Sequence, residues 1–427
     1  MNMKIVIAGY GVEGKASFDY WCAKGAEVTI ADERDSLSVP AEAAGAILGA
    51  DAFAELGDFD LIIRSPSINP AKLPYGDKVW SATNEFLKEC PAPIIGVTGT
   101  KGKGTTSSLT AAILEESGCV VHLVGNIGVP ALQELASIKK DDIVVYEMSS
   151  FQLWDAHASP HIAVILMLEP DHLDVHTSFE EYIEAKSQIV RHQSSDDIAL
   201  YHPTNQWSSE IAHSGPSQPV RYGIPDDGQV YVDSDAFYIE DTRICSVDAL
   251  QLVGEFNQEN ACAAISAALA AGAERSAVEA GLQSFHGLDH RLKFVRTVDG
   301  VSYYDDSIAT TPGSAIAALR SFTAPRFIIL GGSSKGVEYD EIVAECRAAN
   351  AVVIAIGQTG ETIARLCAEQ DVSCYRVTGR MNEVVEKVHD VAPEGSVVIL
   401  SPASASFDQY DSYSHRGDQF VAAVEAL

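Results

Sequence analysis

Residues Gly96 to Thr106 read Gly-Val-Thr-Gly-Thr-Lys-Gly-Lys-Gly-Thr-Thr. The apolar Pro93-Ile-Ile run before them suits a short buried strand, and Ser107 to Glu116 suits a helix. Small residues between a strand and a helix let backbone N–H groups close around an anion. The helix N-terminus adds partial positive charge and Lys103 a full one. The spacing departs from the general phosphate loop. Val97 stands where that pattern has Gly, and Gly104 stands where Ser or Thr follows the Lys. Thr105 is therefore the better candidate for a magnesium-binding hydroxyl. The strand–loop–helix context favours nucleoside triphosphate binding over an ordinary Gly-rich turn.

At 427 residues the chain exceeds one core and suggests two or three domains. Its formal charge of −31 argues against nucleic acid or an anionic membrane as partner. The same field opposes anionic phosphates, so local Lys and Arg, helix N-termini and divalent metal have to overcome it. No apolar run is long enough to span a bilayer, and the opening Met1 to Gly9 reads as a strand rather than a signal peptide. The eight cysteines form no CxxC pair and read as buried, reduced thiols of a cytoplasmic protein.

Alternating strand and helix signals divide the chain into three α/β domains, each a mainly parallel sheet flanked by helices. Residues 1–92 read as a Rossmann-like domain, with strands at Lys4–Ala8, Glu27–Ala31 and from Leu61. Residues 93–287 read as a P-loop ATPase-like domain, with strands near Val120–Val124, Ile143–Glu147 and Ile162–Leu168 and helices at Phe179–His192 and Asn257–Ala271. The polar stretch from His202 to Ala249, with alternation in Gln229–Ile239, predicts a small antiparallel appendage. Residues 288–427 read as a second Rossmann-like domain, with strands Val301–Tyr304, Arg326–Leu330, Ala351–Ile356 and Val397–Leu400.

Gly9-Tyr-Gly-Val-Glu-Gly14 is a full GxGxxG, and Asp32 ends the next strand where a ribose-binding acid belongs. The same geometry accepts any diphosphate. A second nucleotide site follows and no hydride-transfer domain does, which favours a UDP-type ligand over NAD. Glu147, at a strand's C-terminal end, suits magnesium bridging two phosphates. Asp171, His172 and Asp174 form either a metal-ligating set or a plain polar loop. Asn257 and Asn260 either read a purine edge or cap a helix. On the residues alone, Lys186 is a solvent-facing helix position.

Taken together and in order, Gly96–Thr106, Glu147-Met-Ser-Ser-Phe-Gln-Leu153, Asp171-His-Leu-Asp174, Tyr182-Ile-Glu-Ala-Lys186, Asn257–Asn260 and His290-Arg291 resemble the Mur ligase family across essentially the whole chain. Within it, Gly11-Val-Glu-Gly14 and Ser401-Pro-Ala-Ser-Ala-Ser-Phe-Asp408 most resemble the members that add D-glutamate. The resemblance implies an ATP-dependent ligase of peptidoglycan precursor synthesis, joining D-glutamate to UDP-N-acetylmuramoyl-L-alanine through an acyl phosphate. It also implies two Mg²⁺ ions, a CO₂-derived carbamate on Lys186, and a monomer without nucleic-acid or membrane partners.

Carried over by position, Lys103, Glu147, His172 and Lys186 would be the catalytic set. Metal would fall to Thr105, Glu147, His172 and carbamylated Lys186. ATP would meet Gly99, Thr100, Lys101, Gly102, Lys103, Gly104, Thr105, Thr106, Asn257, Asn260, Arg291 and Asp306. The UDP-sugar would meet Gly11, Val12, Glu13, Gly14, Asp32 to Arg34, Ser65, Pro66, Asn126, Ser149, Gln152 and His172. The amino acid would meet Thr310, Lys335, Ser406, Phe407 and Tyr413. Lys101, Met167, Ser67 and Ile308 depart from the family's Asn, Asn, Gly and Lys. Rival readings are a ligase of the same family adding another amino acid, a folylpolyglutamate synthase-like ligase, a non-catalytic nucleotide-binding protein, and an NAD-dependent dehydrogenase. The retained Glu147, His172 and Lys186 speak against the non-catalytic one.

Overall fold

Strands β1 (Lys4–Ala8), β2 (Glu27–Asp32), β3 (Gly45–Leu48), β4 (Leu61–Arg64) and β5 (Val79–Ser81) form a parallel sheet in the order β3-β2-β1-β4-β5. They belong to a computed structural model that describes residues 3–225, 230–334 and 336–427. Side chains of β1 alternate between two cores, as a strand covered on both faces requires. Ile5 and Ile7 pack with Phe18 and Trp21 of the Val12–Ala23 helix, while Val6 and Ala8 pack with Phe53 and Leu56. Each such burial is worth roughly 1.5–3 kcal/mol. The order reverses between β1 and β4, so their C-terminal ends open a crevice where ligands of such sheets sit.

Strands β6 (Ile94–Thr98), β7 (Val121–Gly125), β8 (Ile143–Glu147), β9 (Ile162–Ile165), β10 (Ile198–Tyr201) and β11 (Gln218–Arg221) form a second parallel sheet, ordered β11-β10-β9-β6-β8-β7. Every residue of β6 and β8 is buried. Because β6 lies between β8 and β9, the loops leaving all three meet at one edge. Gly96 in β6 is a packing requirement, since a Cβ there would come within 2.5 Å of the Pro160 ring.

The polar region contains an antiparallel sheet of β12 (Val230–Asp233), β13 (Ala236–Ile239) and β14 (Thr242–Ser246). It is smaller than the sequence predicts. The Gln206–Ser214 helix and β11 extend the main parallel sheet through a further β–α–β step before the appendage begins. Polar composition had hidden that edge strand, whose exposed residues carry no apolar signal. The predicted strand at Ile162–Leu168 ends at Ile165, where the chain leaves the sheet to line the phosphate loop.

Strands β15 (Lys293–Val298), β16 (Val301–Asp305), β17 (Arg326–Gly331), β18 (Val352–Ile356), β19 (Cys374–Arg376) and β20 (Val397–Leu400) form the last sheet, ordered β15-β16-β20-β17-β18-β19. Only β15 is antiparallel to its neighbour. Compact packing separates the chain into one unit of Met1–Ala249 with Gln258–Phe285 and another of Leu250–Asn257 with His286–Leu427. The first unit holds the first two parallel sheets, and the second holds the last.

Candidate active site

The 99–102 loop leaves β6 and enters the Lys103–Glu116 helix one turn earlier than the sequence predicts. Two glycines make its path possible. Gly99 has φ +153° and a Cβ there would lie 2.6 Å from the Leu166 side chain. Gly102 has φ +84°, and its Cβ would collide with the Asn260 amide. Lys103 folds back over the loop, its Nζ donating to the Gly99 and Thr100 carbonyls at 3.0 Å each. The Thr100 N–H donates to the Met167 carbonyl at 3.0 Å. The Met167 contribution to the loop is thus made by its backbone, which an Asn-to-Met change leaves in place. Thr105 and Thr106 are buried in the first helical turn. Lys101 points outward and pairs with Glu169 at 3.2 Å.

Lys186 overturns its reading as a solvent-facing residue. It is 1% exposed, and its Nζ donates to the Gly99 carbonyl at 2.9 Å and the Thr98 hydroxyl at 3.2 Å. The same amine lies 4.7 Å from the centre of the Tyr182 ring. The sequence held a signal for this: Tyr182, Ala185, Lys186 and Ile189 share one stripe of the Phe179–Arg191 helix, and the stripe is buried. Burial, followed by the nearby Lys103 charge, pushes the Lys186 amine well below its ordinary pKa, against the pull of Asp171 and Glu147. A buried, neutral-leaning primary amine is chemically suited to take up CO₂.

Glu147 ends β8 and is 4% exposed. Its carboxylate accepts from the Asn126 amide at 3.0 Å. Asn126, expected at the UDP-sugar, therefore braces this carboxylate. His172 takes a positive φ of +54° and stacks edge-on against Phe151 with ring centres 5.0 Å apart. Its Nε2 lies 3.6 Å from an Asp171 oxygen. Among the described residues no three His, Cys, Asp or Glu side chains gather into a metal-holding group. The expected set of Thr105, Glu147, His172 and Lys186 contains only two such side chains. The remaining donors would be a hydroxyl, a carbamate and the phosphates. A buried carboxylate held by one neutral amide, at the edge shared with the phosphate loop, fits a magnesium ion in that arrangement.

Asn260 reaches the loop, accepting from the Thr106 hydroxyl at 3.5 Å. Asn257 lies inside the Glu255–Ala270 helix rather than at its cap, its side-chain amide donating to the Val253 carbonyl at 2.7 Å.

In the first sheet, Gly9 has φ +90° and the Ser65 hydroxyl donates to its carbonyl. Gly14 lets the helix close onto the loop, because a Cβ there would strike the Gly9 carbonyl. Gly11 and Val12 face solvent. Asp32 accepts from the Tyr10 N–H at 2.8 Å and from the Arg34 guanidinium at 2.7 and 2.8 Å. Those bonds, Arg34 foremost, hold its carboxyl far below the usual range. Asp32 braces the Gly loop as well as bordering the crevice. Glu13 accepts from the Gln152 amide at 2.6 Å, and burial lifts its carboxyl to about 7 against the opposing Gln152 and Arg64. Gln152 and Ser149 also close a capping box on the Ser150–Leu153 helix.

Sequence reasoning missed Arg64. Fully buried at the end of β4, it pairs with Asp155 through two bonds of 2.6 and 2.5 Å and donates to the Phe151 and Ile68 carbonyls. The crevice loop Ser65-Pro66 is thereby tied to the second sheet. The surrounding Leu61-Ile-Ile run reads as apolar core and gives no hint of it.

The second unit gathers its candidates at the C-terminal ends of β16, β17 and β20. The β17 and β20 loops are stitched together by Gly331 N to the Pro402 carbonyl and Ser333 N to the Ala405 carbonyl, both 2.8 Å. Arg416, also missed, is buried and donates to the Ser307, Ser404 and Ala405 carbonyls. Burial lowers its pKa to about 10. Asp306, expected at ATP, is buried, accepting from the Ser401 hydroxyl at 2.6 Å and the Leu292 N–H at 3.1 Å, and burial raises it to about 7. Arg291 is exposed between His290 and Leu292, both with positive φ. Ser406 is buried and Thr310 half-buried, whereas Phe407 and Tyr413 are exposed. Lys335 lies outside the described residues.

The Mur ligase middle domain family matches residues 97–268, and the Mur ligase glutamate ligase domain family matches residues 290–404. A Symbiobacterium thermophilum protein named UDP-N-acetylmuramoylalanine–D-glutamate ligase is 35% identical, the match covering 100% of this chain and 99% of that one. A Clostridium kluyveri protein of the same name is 32% identical over 99% of this chain and 97% of its own. Among solved structures, UDP-N-acetylmuramate-alanine ligase MurC from Thermotoga maritima shares the fold with a TM-score of 0.65 at 17% identity, over 100% of both chains. MurF ligase from the same organism, solved in complex with ADP, has a TM-score of 0.62 at 17% identity, over 100% of this chain and 96% of that one.

Proposed function

The chain belongs to the Mur ligase family, and from that premise we propose that it joins D-glutamate to UDP-N-acetylmuramoyl-L-alanine, with ATP cleaved to ADP and phosphate. One juxtaposition carries the ligase reading: the phosphate loop, the buried Glu147 carboxylate and the buried Lys186 amine share one edge of the second sheet. The choice of D-glutamate rests on full-length similarity to relatives bearing that activity in their names.

The 99–105 backbone and Lys103 hold the β- and γ-phosphates, so the terminal phosphoryl group faces the substrate carboxylate. Phosphoryl transfer gives an acyl phosphate; the amine of D-glutamate attacks its carbonyl carbon, and phosphate leaves. Both steps gather negative charge, which Lys103 offsets. Magnesium, held by Thr105 and Glu147 with His172 and carbamylated Lys186 at a second ion, would neutralise phosphate charge. The crevice of the first sheet, from Gly11 to Gly14 with Arg34, Ser65 and Pro66, receives the UDP moiety. Thr310, Lys335, Ser406, Phe407 and Tyr413 are the candidates for the amino acid.

The test is phosphate release with ATP, Mg²⁺ and UDP-N-acetylmuramoyl-L-alanine across a panel of D- and L-amino acids. Release that requires D-glutamate is expected. Release with a different amino acid keeps the ligase and overturns the specificity, and release with none overturns the nucleotide substrate.

A further inference from the structure

The guanidinium that ends β4 is wholly removed from solvent, and its bonds run in two directions. On one side, Arg64 Nη1 gathers three carbonyls of the turn that follows it. Those of Ser65 and Pro66 lie at 3.4 Å and that of Ile68 at 3.0 Å. One cation thus fills the inside of the 65–68 turn, which the Ile68 N–H closes on the Ser65 carbonyl at 2.9 Å. On the other side, Nε and Nη2 fork onto the Asp155 carboxylate at 2.6 and 2.5 Å, and Nη2 also donates to the Phe151 carbonyl at 2.8 Å. A planar five-donor head can serve both sides at once, and a lysine ammonium cannot.

The second-sheet side is itself fixed in place. The Asp155 carbonyl accepts from the Asn84 amide at 2.8 Å, and the Asn84 side-chain oxygen accepts from the His157 N–H at 2.7 Å. In the Ser150–Leu153 helix, Ser150 Oγ is hydrogen-bonded to His176 Nε2 at 3.0 Å. The same helix meets the Gly loop, since Gln152 donates to Glu13 at 2.6 Å. Both walls of the crevice, the 9–14 loop and the 65–68 turn, are therefore braced against one helix. A buried ion pair seldom adds net stability, because desolvation of the two charges offsets their attraction. What this pair supplies is geometry.

We propose that Arg64 is a positioning residue for the sugar-nucleotide substrate. Its guanidinium sets the 65–68 turn against the Gly loop before the ligand arrives, so that no ordering of that wall opposes binding. It acts through Ser65 and Pro66 and touches no substrate atom. The inference rests on the crevice being the UDP site.

Arg64→Met combined with Asp155→Leu removes both charges together and is expected to keep the unfolding midpoint. The full-length protein is titrated calorimetrically with ADP, and then with UDP while ADP saturates the phosphate loop. A roughly tenfold weaker UDP affinity is expected in the double variant, with ADP affinity held within about twofold. In turnover, the KM for the sugar nucleotide is expected to rise about tenfold while the KM for ATP stays, the mark of lost uniform binding. Arg64→Lys keeps a charge beside Asp155 but cannot span both sides, and is expected to weaken UDP by about threefold. It decides by the same UDP-to-ADP comparison if the double variant does not fold. UDP affinity equal to the parent's overturns the proposal and leaves the crevice reading intact. An equal loss of ADP affinity also overturns it, by showing that the pair supports the whole unit. A parent protein that takes up no UDP overturns the crevice reading, and the proposal with it.

Discussion

The Lys186 amine is the residue on which most rests, because it is buried against the Gly99 carbonyl and the Thr98 hydroxyl, where burial lowers its pKa. Lys186→Arg places a permanent charge against the Gly99 carbonyl and is expected to lose roughly 10²–10³ in turnover together with stability. Lys186→Met separates the two effects. It is expected to hold its unfolding midpoint while losing turnover to the same extent, and near-parent phosphate release from it would remove Lys186 from the mechanism. Glu13 carries a pH signature. Its folded pKa of about 7 exceeds the ordinary carboxylate value of 4.5, so between these values the folded chain holds the proton more tightly than the unfolded one. Stability therefore falls as pH rises through that window. Glu13→Gln is expected to gain on the parent by roughly 1 kcal/mol between about pH 5 and 8, the value discounted for partial exposure. Denaturant midpoints that run parallel across the window would contradict it.

At the scale of the element, the phosphate loop depends on backbone shape as much as on charge. Gly102→Ala forces a left-handed residue and a Cβ against Asn260. A cost of about 1–2 kcal/mol and a roughly tenfold weaker nucleotide affinity are expected, read by calorimetric titration with ADP. Unchanged affinity would mean the loop reshapes freely. This element was legible in the sequence, because a phosphate loop writes its glycines and Lys into contiguous residues. Strands β6, β8 and β20 were legible for the same reason, since strands buried on both faces are unbroken apolar runs. Edge strands β3, β11 and β19 were not, being short and partly exposed. Lys186 was legible only through the family resemblance, since on the residues alone it reads as solvent-facing, and Arg64 not at all. Its burial depends on Asp155, 91 positions away in the chain, and no local pattern encodes such a partner.

For the whole molecule, the charge of −31 sets the terms on which anionic substrates arrive. Its field opposes the approach of ATP and UDP-sugars, and salt shortens its reach from about 30 Å at 0.01 M to about 8 Å at 0.15 M. At constant free Mg²⁺, the apparent KM for the nucleotides is expected to fall as monovalent salt rises over that range. A KM that rises instead would show that the local cations at Lys103 and Arg34 dominate the encounter. The Arg64–Asp155 pair has a bearing beyond catalysis. It makes the first two sheets a joint inheritance: a chimera that borrowed the first sheet from a relative lacking the guanidinium, or the second from one lacking the carboxylate, would bury a charge with no counterpart. An exchange of either sheet is therefore expected to be tolerated only when it carries both residues together, so the pair sets a joint constraint on which pieces of such genes can be swapped.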